Sequence, residues 1–575
     1  MKEYRSASQI LFGVLPNQTV DLRGGVWKVR EWAEPIPRSV DQSSLRRELI
    51  RMATPWEISK QDGGFVDDLR RGIEVGVSTL NLQTGVKVQP FPEVWMCKAC
   101  NRISDSALKI CRCGRRQWGQ LPFVGYHDQC GAIRAPYIKK CPAHNDVKVI
   151  LPGTSSAGEI RFICPECNRL IRKGFGFPAC NCGNGRFVFN VHRAASVYTP
   201  RTVVVVNSPS REIVKRLNEA GGPSRALNWV LSGLQTKTFE QLGITKESLR
   251  SQLISTGISP EVVELMVDQA AAKGQLTEEK NSAQLPTEVR EEAEAQAANL
   301  AMALTQSRIR LSDLAAAVET SSRLRNLYEK QYPETFRIAG IETIELTDKF
   351  PVLTGSFGYT RGPSEPGISR LVPFRDQRGN YVVYADIAET EALLIRLDPV
   401  SLAKWLSNNG FRIKPWTDPL SARVSLLEAA VIPRPGELPQ QTAGSALLRL
   451  VHSYAHLLIK KIAVYSGIER NALSELLLPQ HGCFFVYAAA RGDFVLGGLQ
   501  AVFETELNSL LKELVASDSR CPLDPGCARA GSACMACLHL GEPSCRYYNQ
   551  YLNRAVLLGP SGYFQLCQDT SRSND

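Results

Sequence analysis

No apolar run in this 575-residue sequence approaches the length of about 20 residues that a membrane-spanning helix needs, which excludes helical membrane classes. A secretory h-region is also missing, because Met1-Lys2-Glu3-Tyr4-Arg5 leads into mixed polar and apolar residues, so a cytoplasmic location is expected. No Gly-x-x-x-x-Gly-Lys-Ser/Thr loop occurs, so no cradle for nucleotide phosphates is expected. His452 and His456 stand at helical i, i+4 spacing, but Ser453-Tyr454-Ala455 between them lacks the glutamate of a zinc-hydrolase His-Glu-x-x-His pair. Acidic residues are scarce in one stretch. Between Cys97 and Arg201, five Asp and Glu face seventeen Lys and Arg, a local +12 against +11 for the whole chain.

That same stretch is where the chemistry concentrates. Cys97-Lys-Ala-Cys100, Cys111-Arg-Cys113, His127-Asp-Gln-Cys130, Cys141-Pro-Ala-His144, Cys164-Pro-Glu-Cys167 and Cys180-Asn-Cys182 form close ligand pairs. One or two residues between ligands let a tight knuckle aim both side chains at one ion, and a second knuckle completes a zinc tetrahedron. Taken in order, the pairs make three consecutive sets: Cys97–Cys113, His127–His144 and Cys164–Cys182. Four protein ligands per set leave no open position, so these sites are expected to be structural. Seventeen cysteines in close pairs, in a large chain without a signal sequence, belong to metal binding in a reducing compartment rather than to disulfides.

The basic residues of this stretch lie in or beside the ligand loops: Lys109, Arg112, Arg115, Arg116, Arg134, Lys139, Lys140, Arg169, Arg172, Lys173 and Arg186, with Trp118, Tyr126, Phe175 and Phe177 among them. Cations with exposed rings suit a polyanion with stackable bases, which predicts nucleic-acid contact. The alternative is that the loops are simply solvated and the rings pack the small core of a zinc ribbon.

The length exceeds the roughly 250–300 residues at which one core stops growing, and 43% hydrophobic with 22% charged residues is ordinary for a globular chain. A multidomain α+β protein is therefore expected. Its divisions read as a partly β lead-in over 1–95, a basic triple-zinc ribbon and knuckle module over 96–206, and a helical region over 207–345 with a linker near 276–298. A mixed α/β region over 346–440 and a Cys-rich α/β region over 441–575 complete it. Within these, a helix is expected at 43–52, turns at Gly24-Gly25, Gly76 and Gly85, and a buried strand at 202–206. Short helices are expected over 211–219, 226–234, 238–242, 245–255 and 260–272, and a helix pair over 288–305 and 309–332. Strands are expected at 343–346, 381–385 and 483–487, a helix over 444–466, and a Gly497-Gly498 turn into a helix at 501–516. The tryptophans Trp27, Trp32 and Trp56 read as core anchors, and Cys483 and Cys567 as buried small hydrophobes.

A second ligand cluster follows that glycine turn. Cys534-x-x-Cys537 is a knuckle, Cys545 reads as its third ligand, and Cys521 or Cys527 as the fourth, with a four-thiolate iron–sulfur cluster as the alternative to zinc. About four zinc ions per chain are expected in all. His452 and His456 read as packing, capping or partner-contact residues.

The run Cys534-Met-Ala-Cys537, Cys545, Asn549 and Leu552-Asn-Arg554-Ala-Val-Leu557 resembles the Cys-rich domain attached to certain superfamily 2 DNA helicases. With His452-Ser-Tyr-Ala-His456, Gly497-Gly498-Leu499 and the opening Arg5-Ser-Ala-Ser-Gln9, the chain is similar to the DrmB family, helicase-partner subunits of the bacterial DISARM system that blocks phage DNA. The family's Gly-x-Gly turn after the glutamine is replaced here by Gly13-Val-Leu-Pro. The resemblance implies a non-catalytic, zinc-stabilised subunit in a heterodimer with a superfamily 2 helicase (DrmA-like), the two engaging DNA in antiviral defence. A metal-dependent nuclease using His452, His456, Asp493 and Glu504 is one alternative. A purely structural protein-interaction scaffold is the other.

Overall fold

The computed structural model describes residues 13–22, 24–153, 157–206, 211–241, 246–272, 285–318, 321–363, 365, 367–433, 440–489, 497–517, 519–541, 544, 545, 547 and 549–572. The opening motif around Gln9, residues 276–284 of the expected linker and Asp493 fall outside them, while the rest of that linker leads into and forms part of the helix Thr287–Gln306. The architecture is mixed α/β, with several sheets and Cys-rich clusters toward both ends. The chain divides into two compact units, Met1–Val205 with Leu353–Ile387, and Val206–Val352 with Ala388–Asp575. Two long strands, Ile341–Thr360 and Val382–Leu397, each contribute one end to either unit.

In the first unit, strands Thr19–Leu22, Gly25–Trp32 and Val86–Pro90 form an antiparallel sheet. Gly24 and Gly25 make its first turn at φ 94° and 145°, a region closed to other residues. The helix expected at 43–52 runs from Gln42 to Ile58, because Asp41 caps it by accepting from the Ser44 amide and Leu45, Leu49, Ala53 and Trp56 keep an apolar stripe beyond residue 52. Gly76 differs from expectation: it begins the strand Gly76–Thr79, which pairs in parallel with Val382–Ala385, while Gly72 takes the left-handed turn. Trp32 and Trp56 are buried and donate their indole N–H groups to the Val14 and Ser369 carbonyls; Trp27 is half-buried.

The Cys-rich part of this unit is built from three three-stranded antiparallel sheets, too small to hold a core of ordinary size. Strand Trp95–Cys97 lies between Ile103–Ser104 and Trp118–Gln120. Phe123–Tyr126 lies between Ile133–Arg134 and Val188–Val191, and Arg161–Ile163 between Lys148–Ile150 and Leu170–Lys173. Their shared apolar centre includes Leu121, Val149, Phe162, Phe175 and Phe189.

The second unit begins with helices at Arg211–Glu219, Gly222–Leu231, Lys246–Ser255, Pro260–Ala272 and Thr287–Gln306, with only a short 3₁₀ turn at Phe239–Gln241. The expected helix over 309–332 is instead interrupted, as Leu311–Ala317, Ser322–Asn326, a π-helical turn at Leu327–Gln331 and Tyr332–Ile338. The core surrounds helix Ala443–Ser466, whose Leu447, Val451, Tyr454, Leu458 and Ile462 are sealed against strands Leu473–Leu478 and Cys483–Ala488. Those strands pair antiparallel, and the second also pairs with Ala392–Arg396. Cys483 and Cys567 are buried, as expected. No helix among the described residues is long and apolar enough to cross a membrane.

Candidate metal centres

Each ligand pair is shaped by its own backbone. In Cys97–Cys100, His127–Cys130, Cys141–His144 and Cys164–Cys167, the residue after the second ligand donates its amide to the carbonyl of the first: Asn101, Gly131, Asn145 and Asn168, at 2.8–3.0 Å. All four take positive φ, which asparagine and glycine tolerate best. In Cys111–Cys113 and Cys180–Cys182, Gly114 and Gly183 close a shorter turn at φ 82° and 81°. The turn points both donor atoms to one side.

The knuckles assemble into four clusters whose donor atoms all lie within 4.8 Å of one another. In the first, Cys97, Cys100, Cys111 and Cys113 meet with Sγ···Sγ distances of 3.7 Å for Cys97–Cys113 and 3.5 Å for Cys100–Cys111. The next two correct the consecutive grouping. His127 and Cys130 meet Cys180 and Cys182, with Cys130 Sγ 3.6 Å from Cys180 Sγ and His127 Nδ1 3.7 Å from Cys182 Sγ. Cys141 and His144 meet Cys164 and Cys167, with His144 Nδ1 3.6 Å from Cys141 Sγ and 3.5 Å from Cys164 Sγ. Strand pairing is the reason: Phe123–Tyr126, which leads into His127, is hydrogen-bonded to Val188–Val191, just beyond Cys182. The second centre therefore encloses the third. Gly185 packs against the His127 ring, where a Cβ would stand 3.0 Å from Nε2.

The C-terminal cluster takes both Cys521 and Cys527 with Cys534 and Cys537, at Sγ···Sγ distances of 3.5–3.7 Å. This corrects the expectation for Cys545, which lies instead beside His452, His456 and Glu475. Asp524 supports the thiol cluster by accepting from the Cys521 and Ala528 amides and from Arg554 at 2.5 and 2.7 Å. Arg554 in turn donates to Cys527 Sγ at 3.0 Å.

These clusters can hold metal ions, and their donors suit zinc. A tetrahedron with Zn–S of about 2.3 Å and Zn–N of about 2.0 Å puts its donor atoms roughly 3.3–3.8 Å apart, and the sulfur–sulfur contacts above fall at that spacing rather than at the roughly 2 Å of a disulfide. The amides favour thiolate. Donation at Arg115 brings the Cys113 thiol down to about 7 and donation at His144 brings Cys141 down to about 6, whereas burial pushes Cys111 up to about 12.

The cations around the first three centres divide into two groups. Lys109 is paired with Asp105, Arg112 with Asp146, and Arg134 lies over the Phe187 ring at 5.2 Å. Lys140 is half-buried and Arg172 lies against Gly176. Arg115, Arg116, Lys139, Arg169, Lys173 and Arg186 are exposed and form no ion pair among the described residues. Of the rings, Tyr126 and Phe175 are core residues, and Trp118 is half-buried with its indole N–H donating to the Lys109 carbonyl. Phe177 is exposed, as is Tyr137, which the sequence reading did not single out.

Two other sequence candidates resolve differently. The amides of Leu499 and Gln500 after the Gly497-Gly498 turn donate to Glu391, so a carboxylate already occupies the position a phosphate would take. His452 and His456 are fully buried, and Glu504 is hydrogen-bonded to Gln500 on a different element, so the nuclease constellation does not assemble around the histidines.

Residues 6–207 match the model of a family described as a domain of unknown function, DUF8724. The chain is also similar to the DISARM protein DrmB of Bacillus paralicheniformis, at 27% identity over 181 residues that cover 29% of this chain and 31% of that protein. The match thus spans about a third of the relative's length.

Proposed function

We propose that this chain is a non-catalytic, zinc-stabilised subunit that contacts DNA and partners a superfamily 2 helicase in antiviral defence. The similarity to a DISARM protein supports the biological setting. The observation that carries the DNA reading is the set of exposed cations without an ion pair among the described residues, Arg115, Arg116, Lys139, Arg169, Lys173 and Arg186, on the loops and strand end around the three N-terminal clusters. A folded frame that presents exposed basic side chains suits the phosphate backbone, which supplies affinity without sequence readout. The helicase partner (DrmA-like) would supply ATP hydrolysis, in keeping with the lack of a nucleotide loop.

Fluorescence anisotropy with labelled duplex and single-stranded DNA tests this, with and without the helicase. If the six cations each neutralise one phosphate, affinity for duplex falls about 10³-fold between 50 and 200 mM salt. Arg115→Glu with Arg116→Glu should weaken binding and lower the salt slope by about 2. Absence of binding at low salt, alone and with the helicase, refutes the reading and leaves the scaffold alternative.

A further inference from the structure

We propose a fifth metal centre, holding zinc between His452, His456, Glu475 and Cys545 in the core of the second unit. The two histidines stand one turn apart on helix Ala443–Ser466, Glu475 on strand Leu473–Leu478, and Cys545 on the segment that follows the four-thiol cluster. The first three are 0% exposed and Cys545 6%. Their donor atoms converge. His452 Nε2 lies 3.0 Å from His456 Nε2, 3.1 Å from Glu475 Oε1 and 3.3 Å from Cys545 Sγ, and His456 Nε2 lies 3.4 Å from the same carboxylate oxygen. These are close to the edges of a tetrahedron with zinc bonds of about 2.0–2.3 Å.

The surroundings fix which atoms are acceptors. His456 Nδ1 is 2.9 Å from the Leu538 carbonyl, so that nitrogen carries the proton and the neutral ring turns the Nε2 lone pair inward. Cys545 Sγ accepts the Asn549 amide at 3.2 Å, an arrangement suited to thiolate. Both Glu475 oxygens are buried without a well-aligned hydrogen-bond donor. Four acceptors thus face one point. Without a metal, one shared Nε2 proton and a thiol hydrogen on Cys545 would have to hold together four donor atoms that all lie within 4.8 Å of one another in a buried core. One Zn²⁺ satisfies all four and, with one carboxylate and one thiolate, makes the centre neutral, the charge state a buried site tolerates. Two imidazoles, a carboxylate and a single thiolate form a borderline donor set that suits zinc.

The centre is closed on all sides and so cross-links rather than catalyses, joining helix, strand and Cys-rich segment. It also abuts the four-thiol cluster: the helix that carries His456 carries Lys460 one turn later, which donates to the Met535 and Cys537 carbonyls at 3.3 and 2.7 Å.

The test is an anomalous-difference map of the full-length protein at the zinc edge, together with zinc counted per chain in wild type, Cys545→Ser and Glu475→Gln. A peak among these four side chains is expected, with one zinc fewer in each variant and the Cys521–Cys537 peak retained. Because the readout is a difference of one ion, it stands apart from DNA binding and from occupancy of the other clusters. Should the variants not fold, the wild-type map decides. No peak here while the cysteine clusters show theirs, an iron edge in place of zinc, or an unchanged count in folded variants overturns the proposal.

Discussion

The enclosure of one cluster by another makes a prediction in whole numbers. Cys130 Sγ and Cys180 Sγ stand 3.6 Å apart across 50 residues of sequence, so the two thiols are placed to share one ion. Cys141 is grouped instead with His144, Cys164 and Cys167, which could hold a different ion. A structural zinc site has an apparent binding free energy of about 10–16 kcal/mol, comparable to or larger than the whole net stability of a typical domain, about 5–15 kcal/mol. Each centre should therefore be filled or lost as a unit. Cys130→Ser and Cys180→Ser should each release one zinc, and the double variant should also release only one, since the second substitution meets a site already empty. Cys130→Ser with Cys141→Ser should release two. Native mass spectrometry, with chelator titration of the released metal, reads both counts. Two ions lost from the Cys130/Cys180 double variant, or one from the Cys130/Cys141 variant, would refute the enclosed pairing and restore the consecutive one.

Two further outcomes follow from side chains that support the clusters. Asp524→Asn removes the anion that fixes Arg554 against Cys527, and zinc affinity at the C-terminal cluster should fall about 10–100-fold, measured by competition with a chelator. The Asp524 carboxyl is held below its usual range, first by the Cys521 amide and, against some desolvation, by Arg554. Its contribution is present above the unfolded pKa of about 3.9 and is lost as pH falls through the lower folded value, so wild type and variant should converge only in that acid window. In the first unit, Arg361 is 1% exposed, lies beside the stacked Tyr198 and Tyr359 rings, and donates to the Gly131, Val197 and Asn17 carbonyls. Arg361→Met removes the guanidinium donor from these carbonyls, of which Gly131 retains the Tyr359 hydroxyl at 3.4 Å, and should destabilise the protein by about 3 kcal/mol in denaturant unfolding, with faster zinc release from the His127–Cys130 centre because Gly131 closes that knuckle.

The individual knuckles were legible because a local turn dictates them: two ligands, a fixed spacing, then asparagine or glycine. Their partners were not, because pairing is decided by strands far apart in sequence. The Cys-x-Cys-Gly turns at 111–114 and 180–183 each meet a ligand-x-x-ligand turn, but the consecutive grouping satisfies that rule as well as the observed one, so turn type alone does not choose between them. The long strands were seen only as fragments at 343–346 and 381–385. Ile341–Thr360 carries Glu345 and Thr347 in buried positions, and the Glu345 charge is matched by Arg308 at 2.6 and 2.9 Å, a partner that no local pattern reveals. Alternation fades where a strand is covered on both faces. The cluster at His452 showed only its i, i+4 pair, since Glu475 sits inside Leu-Ser-Glu-Leu-Leu-Leu and reads as part of an apolar strand.

The enclosed arrangement also sets a problem of timing for a chain made from its N-terminus. When residue 144 leaves the ribosome, His127, Cys130, Cys141 and His144 are all available, while Cys164 to Cys182 have yet to emerge. Closing Cys130 onto Cys180 spans 50 residues against 20 for His144 onto Cys164, a loop-entropy difference of about 0.8 kcal/mol. The neighbouring quartet is thus the first that a free ion can capture, and it is the wrong one. An ion captured there would have to exchange ligands before the observed grouping could form, so withholding zinc until residue 182 has emerged should raise the yield of correctly grouped protein.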